Sequence, residues 1–201
     1  PEAHAGQLYR EAVVEAQERL GAEGEVVLDL DEDRLLADLR QARAAGAVSA
    51  AVAFMHADLN PAHEVRAGEI ARQAGFDFVA LSHEVSPLPR FTPRAETTVA
   101  DAYLTPILRN YVQAVADAVG GAPLYFMTSA GALVPASGFR GRDAVVSGPA
   151  GGVVGVARTA QAAGSAAVLG FDMGGTSTDV SRFAGRLERR DKAQIGGVKM
   201  R

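Results

Sequence analysis

The chain has 201 residues, enough to bury a core, and its 48% hydrophobic and 22% charged residues are ordinary for a globular protein. A formal net charge of −4 argues against a general nucleic-acid binder, and the absence of cysteine excludes disulfides, thiolate nucleophiles and cysteine-based zinc sites. The longest apolar runs are the length of strands, so the sequence predicts no membrane span.

The first 82 residues alternate between helical and strand patterns. Leu8, Ala12, Ala16 and Leu20 share one helical face, and Asp31 is the predicted N-cap of the next helix. Such alternation is typical of an α/β layer with parallel strands. In chain order the patterns predict a helix over 8–20, a strand over 26–30, a helix capped by Asp31 that runs to about residue 45, a strand over 48–54, a helix over 60–75 and a strand over 76–82.

The second half begins with an irregular segment. Three prolines in residues 83–94 predict that this stretch lacks regular structure, and it is the best internal boundary, dividing the chain into domains 1–94 and 95–201. Pro106 predicts a kink in the helix that follows. The remaining predicted elements are a helix over 95–119, a strand over 123–129, a glycine-rich connection, a loop leading into a helix after residue 147, a buried strand over 166–172 and a strand returning from it.

The stretch GFDMGGTSTDV, residues 170–180, is the strongest candidate for chemistry. Two aspartates, Asp172 and Asp179, flank a turn with two glycines and three hydroxyl residues, directly after an apolar strand. Glycines let consecutive N–H groups point into one concavity that suits phosphate oxygens, and carboxylates beside phosphate require a hard cation such as Mg²⁺. The alternative is a glycine-rich hairpin that binds nothing.

Three weaker candidates lie elsewhere. SGPAGGVVG, residues 147–155, predicts either an anion-binding helix N-terminus at Gly148 or close backbone packing. His83 follows a strand end, where α/β proteins place ligand contacts. The stretch around residues 54–64 has metal-ligating side chains but also a helix start that explains some of them; these residues are His56, Asp58, Asn60, His63 and Glu64.

Four stretches occur in the order typical of the hydantoinase A / 5-oxoprolinase family, which the chain therefore resembles. They are LSHEVSPLPRFTPRAETTVADAYLTPIL, YFMTSAGALV, VVSGPAGGVVGVAR and GFDMGGTSTDVSRF. The resemblance implies a partial actin-like ATPase (ribonuclease H-like) α/β fold, ATP and Mg²⁺ as cofactors, and phosphorylation of an amide or ketone oxygen. It places phosphates at Gly174, Gly175, Thr176, Ser177 and Thr178, with Mg²⁺ at Asp172 and Asp179.

The resemblance also implies a function and partners. We expect a fragment of a cytoplasmic, ATP-dependent hydrolase that opens a cyclic amide such as a hydantoin or 5-oxoproline, with a B-type subunit or domain as partner and no nucleic acid or membrane. Because the family's first Gly-Gly-Thr hairpin and a later glycine-rich segment are missing, we expect the isolated chain to be inactive. The alternatives are a ketone carboxylase subunit, a non-catalytic nucleotide-binding module, or an unrelated α/β protein.

Overall fold

The computed structural model describes residues 13–175 and 178–187, together with the backbone of 193–195 and 198–200. The helices are α1 (Glu32–Ala44), α2 (Ala62–Gln73), α3 (Ser82–Val85), α4 (Phe91–Ala118), α5 (Gly141–Ala144) and α6 (Ser147–Ala162). The strands are β1 (Arg19–Leu20), β2 (Val26–Leu28), β3 (Ser49–Val52), β4 (Phe78–Leu81), β5 (Tyr125–Met127), β6 (Leu133–Pro135), β7 (Val168–Met173), β8 (Thr178–Phe183), β9 (Ala193–Ile195) and β10 (Val198–Met200).

The strands of the described chain form five pairs, and two compact units contain them. The pair β3–β4 is parallel, whereas β1–β2, β5–β6, β7–β8 and β9–β10 are antiparallel. Unit 1 contains the residues up to Ile107 and those after residue 190, and unit 2 is Leu108–Arg190. The predicted boundary between domains 1–94 and 95–201 stays a prediction.

Unit 1 is a βαβ arrangement in which α2 connects the parallel strands β3 and β4. The side chain of Asp31 accepts a hydrogen bond from the backbone N–H of Arg34 and so caps α1, as the sequence predicts. Strand β4 is covered on both faces, because Val79 packs against the α1–α2 core while Phe78 packs with Ala102 of α4. The buried core between α1, α2 and the sheet consists of Leu35, Leu39, Ala67, Ile70, Ala71 and Phe76.

The predicted helix over 8–20 is wrong in its described part. Residues 13–18 are not helical, and Arg19–Leu20 forms β1; residues 8–12 lie outside the described residues. Val14, Ala16 and Leu20 are buried or half-buried while their neighbours are exposed, which is the period of two of an extended chain. The same apolar residues fit both periods, and pairing of Leu20 with Val26 decides for the extended form.

The prediction that residues 83–94 lack regular structure is correct for residues 86–90, which contain Pro87 and Pro89, and wrong on either side of them. Ser82–Val85 forms α3, and α4 begins at Phe91 with Pro93 in its first turn. A proline is tolerated there, because the first N–H groups of a helix have no intrahelical partner to lose. Pro106 lies inside α4 as predicted.

Unit 2 packs α6 against the hairpin β7–β8. Ala157 and Ala160 of α6 form a small core with Phe183, and Val168 packs against it. The glycine-rich connection after β5 contains a strand and a short helix that the sequence did not predict, β6 and α5, with Phe139 stacked on Phe126 at 4.9 Å. The glycine-rich start of α6 is helical from Ser147 rather than a loop.

The prediction that residues 166–172 form a buried strand is correct for the strand and wrong for its burial. Only one face of β7–β8 is covered by α6, and side chains of the other face are exposed, with Phe171 at 68% and Met173 at 79%. An apolar strand alone does not show how many layers cover it.

In the described chain no helix has the length and apolar character needed to cross a membrane.

Candidate functional site

The hairpin β7–β8 forms as the sequence predicts. Its strands are antiparallel, and Asp172 lies directly opposite Asp179, followed by Met173 opposite Thr178. Gly174 and Gly175 begin the turn. The predicted phosphate ligands Thr176 and Ser177 lie outside the described residues.

The two aspartates line a cleft between the hairpin and α6. The cleft has a volume of about 120 Å³, and its walls include Asp172, Asp179 and Ser181 from the hairpin with Pro149 and Gly152 from α6. Directly opposite residues on one face of an antiparallel pair lie about 4.5–5.5 Å apart at Cβ, and like charges at that separation destabilise the pair. A cation held by both carboxylates removes the repulsion, and hard oxygen donors suit Mg²⁺.

Gly152 lets the Asp172 carboxylate lie directly against α6. A Cβ built at residue 152 would be 2.7 Å from Oδ2 of Asp172, closer than any ordinary contact. Gly155, one turn later in the same helix, has no heavy atom within 4 Å of such a Cβ. Close packing therefore explains one glycine of the SGPAGGVVG stretch, and the packed group is a carboxylate.

Gly148, the predicted anion ligand of this stretch, is exposed in the first turn of α6. The residue before the helix, Val146, provides no side-chain cap, and Pro149, which follows Gly148, has no N–H group. The first turn of α6 therefore starts without the hydrogen-bonding side chain that most helices use there.

His83, the other predicted site residue, lies in unit 1 at the carboxyl end of β4. Its Nδ1 is 2.7 Å from Oε2 of Glu64, and its backbone N–H donates to the same oxygen at 3.0 Å. Oε1 of Glu64 accepts from the backbone N–H of Phe54 at 2.8 Å and from the hydroxyl of Ser82. Glu64 is fully buried, whereas 17% of the His83 side chain is exposed.

A buried arginine stabilises the loop after β3 in the same unit. Arg94, only 1% exposed, donates to Oδ1 of Asp58 at 2.5 Å and to the backbone carbonyl of Phe54 at 2.6 Å. Burial opposes ionisation of Asp58, but the hydrogen bonds from Arg94 and the backbone, with the nearby positive charges, outweigh it and hold the pKa of this carboxyl below its usual range.

Four of the five metal-ligating side chains of residues 54–64 bind other protein groups, Asp58 and Glu64 as described above and Asn60 and His63 as follows. The Asn60 side-chain amide donates to the carbonyl of Gly24, and its oxygen accepts from the N–H of Ala62. His63 binds Glu18 through Nδ1 at 2.8 Å. Within residues 13–175 and 178–187 the structure places no three histidine or carboxylate side chains where they could hold a metal ion together.

The buried contacts that Glu64 and Arg94 make were not predicted from the sequence. Glu64 lies on the buried face of α2 with Ala67 and Ala71, and Arg94 precedes the buried Thr97 and Thr98 on α4. A charged residue on an otherwise apolar or small helical face is the signal that could have found both, because such a residue must have a buried partner.

Comparison with known proteins identifies relatives that match most of the chain. A hydantoinase/oxoprolinase family model matches residues 94–201, and the model of the family's N-terminal region matches residues 4–75. The 5-oxoprolinase of Saccharomyces cerevisiae is 42% identical over 186 residues, which cover 89% of this chain and 14% of that protein. Caprolactamase subunit alpha of Pseudomonas jessenii is 34% identical over 174 residues, covering 83% of this chain and 25% of the subunit.

Solved structures confirm the predicted ATPase-like α/β fold. Nucleotide-free acetone carboxylase superposes with a TM-score of 0.82 at 25% identity, and the ATP-dependent caprolactamase of Pseudomonas jessenii with a TM-score of 0.80 at 32% identity. Each alignment covers 92% of this chain and 28% of the solved chain, so this chain spans less than a third of the proteins it matches. With a family model matching more than half of its length, the chain belongs to the hydantoinase/oxoprolinase family.

Proposed function

We propose that the chain is part of an ATP-dependent hydrolase that opens cyclic amides of the 5-oxoproline or hydantoin type by phosphorylating the carbonyl oxygen. The observation that carries the proposal is the pair Asp172 and Asp179, opposite each other in a cleft where Gly152 makes room for a carboxylate. The similarity to 5-oxoprolinase supports the substrate class, and the short coverage of each relative supports a segment of a longer enzyme.

In this proposal the hairpin and α6 bind the phosphates of ATP. Backbone N–H groups at Gly174 and Gly175 and the hydroxyl of Thr178 contact phosphate oxygens, with Thr176, Ser177 and Gly148 extending the same set. Asp172 and Asp179 hold Mg²⁺, which supplies positive charge against the phosphates. The residues of this chain act by positioning and by electrostatics, which is how most phosphoryl transfer is catalysed.

The proposal includes a setting for the enzyme. We propose a cytoplasmic protein that acts with a second, B-type subunit or domain and binds neither nucleic acid nor membranes. The relative named as a subunit alpha supports the partner, and the net charge of −4 argues against a nucleic-acid ligand.

A ketone carboxylase subunit is the second candidate, because acetone carboxylase superposes on 92% of the chain. The test is ATP hydrolysis by the full-length enzyme with Mg²⁺ and either 5-oxoproline, hydantoin, caprolactam, or acetone with bicarbonate. We expect cyclic amides to stimulate ADP release and to yield the ring-opened acid. Stimulation by acetone and bicarbonate alone would support the carboxylase, and tight nucleotide binding without any stimulation would support a non-catalytic module.

The glycines of α6 offer a matched pair of substitutions. In Gly152→Ala the new methyl group must displace the Asp172 carboxylate, a flexible group, so we expect little loss of stability and roughly a hundredfold loss of ATP-dependent activity from misplacement of a metal ligand. Gly155→Ala meets open space, so activity should be unchanged and stability should rise by up to about 1 kcal/mol. ATPase rate and melting temperature measure both effects. Equal activity in the two variants would contradict the assigned role of Asp172.

A further inference from the structure

Each oxygen of the Glu64 carboxylate accepts two hydrogen bonds. The carboxylate accepts these four hydrogen bonds from two separate parts of the chain, the loop after β3 and α3. Two come from backbone N–H groups and two from side chains, of Ser82 and His83. All four contacts fit a carboxylate that acts as the acceptor.

This arrangement determines which nitrogen of His83 carries the proton. With the Glu64 carboxylate as the acceptor, Nδ1 of His83 is the donor, and this hydrogen bond favours the Nδ1–H tautomer of the neutral imidazole. Its lone pair is therefore on Nε2, the ring nitrogen turned away from Glu64. A carboxylate that orients a histidine in this way also stabilises the imidazolium that forms when Nε2 takes up a proton.

The position of His83 in the sheet favours contact with a ligand. His83 is the second residue after β4, and Phe54 is the second residue after β3, at the same edge of the parallel pair. Open α/β sheets bind ligands outside the carboxyl ends of their strands. His83 is the partly exposed member of a cluster whose other polar side chains, Glu64 and Ser82, are fully buried.

We propose that His83 is a general base for the reaction of this enzyme and that Glu64 is its positioning residue. This inference rests on the proposed function, and its substrate is water adding to the phosphorylated carbonyl carbon of a cyclic amide. A C–O bond forms from the water oxygen, one O–H bond of the water breaks, and its proton goes to the lone pair of Nε2. The C=N π bond of the phosphorylated amide breaks, its electron pair goes to the ring nitrogen, and that nitrogen takes the proton from Nε2. In the resulting tetrahedral adduct the C–N bond breaks as the hydroxyl proton moves to the nitrogen, which opens the ring and leaves an acyl phosphate for hydrolysis by a second water.

The titratable groups around His83 fit this role. Glu64 on α2 is the carboxylate in contact with its ring, and Glu84 is its neighbour in α3. Strand β4, which packs against α3, contributes no ionisable side chain. The loop that contains Phe54 adds His56 and Asp58, the latter paired with Arg94.

The first test removes the base. In the full-length enzyme, His83→Gln keeps a hydrogen-bond donor for Glu64 but has no group that can accept a proton, so kcat should fall by about 10²–10⁴-fold while KM changes little. The acid limb of the pH–rate profile, where protonation of a base lowers the rate, should disappear. The control is His63→Gln, because His63 is also held by a carboxylate through Nδ1 at 2.8 Å and should leave rate and profile unchanged.

The second test changes the tautomer and leaves the imidazole in place. The amide of Glu64→Gln can donate to Nδ1 of His83, which favours the Nε2–H tautomer and removes the lone pair from the reacting position. Nitrogen chemical shifts of ¹⁵N-labelled histidine should show protonated Nδ1 in the wild type and protonated Nε2 in the variant. Glu18→Gln makes the same change in the carboxylate that contacts Nδ1 of His63, and it should alter neither the His83 tautomer nor the pH profile.

The outcomes separate this inference from the proposed function. Wild-type enzyme without amide-stimulated ATP hydrolysis would contradict the proposed function. An active wild type whose His83→Gln variant folds and keeps both kcat and the acid limb would overturn the general base. A wild-type His83 with protonated Nε2 and bare Nδ1 would overturn the role of Glu64, whatever the activity. We expect the double variant His83→Gln with Glu64→Gln to have the same kcat as the slower of the two single variants, because the two residues act as one unit.

Discussion

Replacing Asp172 by Asn is expected to lower the ATP-dependent activity of the full-length enzyme by about a hundredfold or more, the scale of losing one key electrostatic contact in an active site. The amide keeps the size of the side chain and its place against Gly152, but it removes one of the two charges that hold Mg²⁺ in our proposal. Removing one member of a pair of facing carboxylates also relieves repulsion. We therefore expect the melting temperature to stay the same or to rise.

The matched control is Asp77→Asn, which changes the same chemical group where 81% of the side chain is exposed and Nη2 of Arg43 lies 3.5 Å from the carboxylate. Its activity should equal that of the wild type. Parallel measurements of ATPase rate against Mg²⁺ concentration and of thermal unfolding distinguish the outcomes. A well-folded Asp172→Asn enzyme with unchanged ATPase would show that the hairpin is only a turn.

Replacing Arg94 by Met is expected to lower the free energy of unfolding by about 3–5 kcal/mol, the usual cost of breaking a buried ion pair by removing one partner. The substitution leaves the carboxylate of Asp58 and the carbonyl of Phe54 without the donor that holds them. Arg66→Met is the control, since Arg66 also pairs with two carboxylates but is 47% exposed, and such pairs contribute at most about 1 kcal/mol. Urea unfolding measures both variants.

The double variant Arg94→Met with Asp58→Asn tests the cause of this loss. If an unpaired buried charge is the cause, neutralising Asp58 should restore part of the stability.

The dependence of the free energy of unfolding on acid pH gives a further check. Because the folded-state pKa of Asp58 lies below its usual range, its contribution is present above the unfolded-state pKa and is lost as pH falls through the folded-state pKa. As the pH falls over that acid range, the free energy of unfolding should decrease less for Arg94→Met than for the wild type. An Arg94→Met protein that is as stable as the wild type at neutral pH would contradict the argument.

The elements that the sequence predicts correctly have local signals. Helix α1 has a capping aspartate, a regular apolar spacing and a glycine at its end, Gly46, whose φ is +108°. The hairpin β7–β8 follows from the apolar run up to residue 171 and the glycine pair after it. Residues 13–20 were predicted wrongly because their spacing fits two periods, and only the pairing of Leu20 across β1–β2 decides between them.

The site was predictable only where its parts are neighbours in the sequence. Asp172 and Asp179 flank one turn, so their proximity follows from a hairpin. The approach of Asp172 to Gly152 and the binding of His83 by Glu64 join residues 20 and 19 positions apart, on different elements. No local pattern contains such contacts, because they arise when helices pack on strands. For the same reason the exposed face of β7 could not be predicted from its apolar sequence.

The backbone of Phe54, rather than its aromatic ring, connects two buried ionic groups of unit 1. Its N–H group donates to Glu64 and its carbonyl accepts from Arg94, so one residue of the loop after β3 is bound to two buried ionic groups. A loop held in this way has lost its backbone entropy during folding, before any ligand arrives. A molecule that binds at this edge of the sheet does not have to order the loop, and a larger share of its contact energy is left for affinity or for positioning.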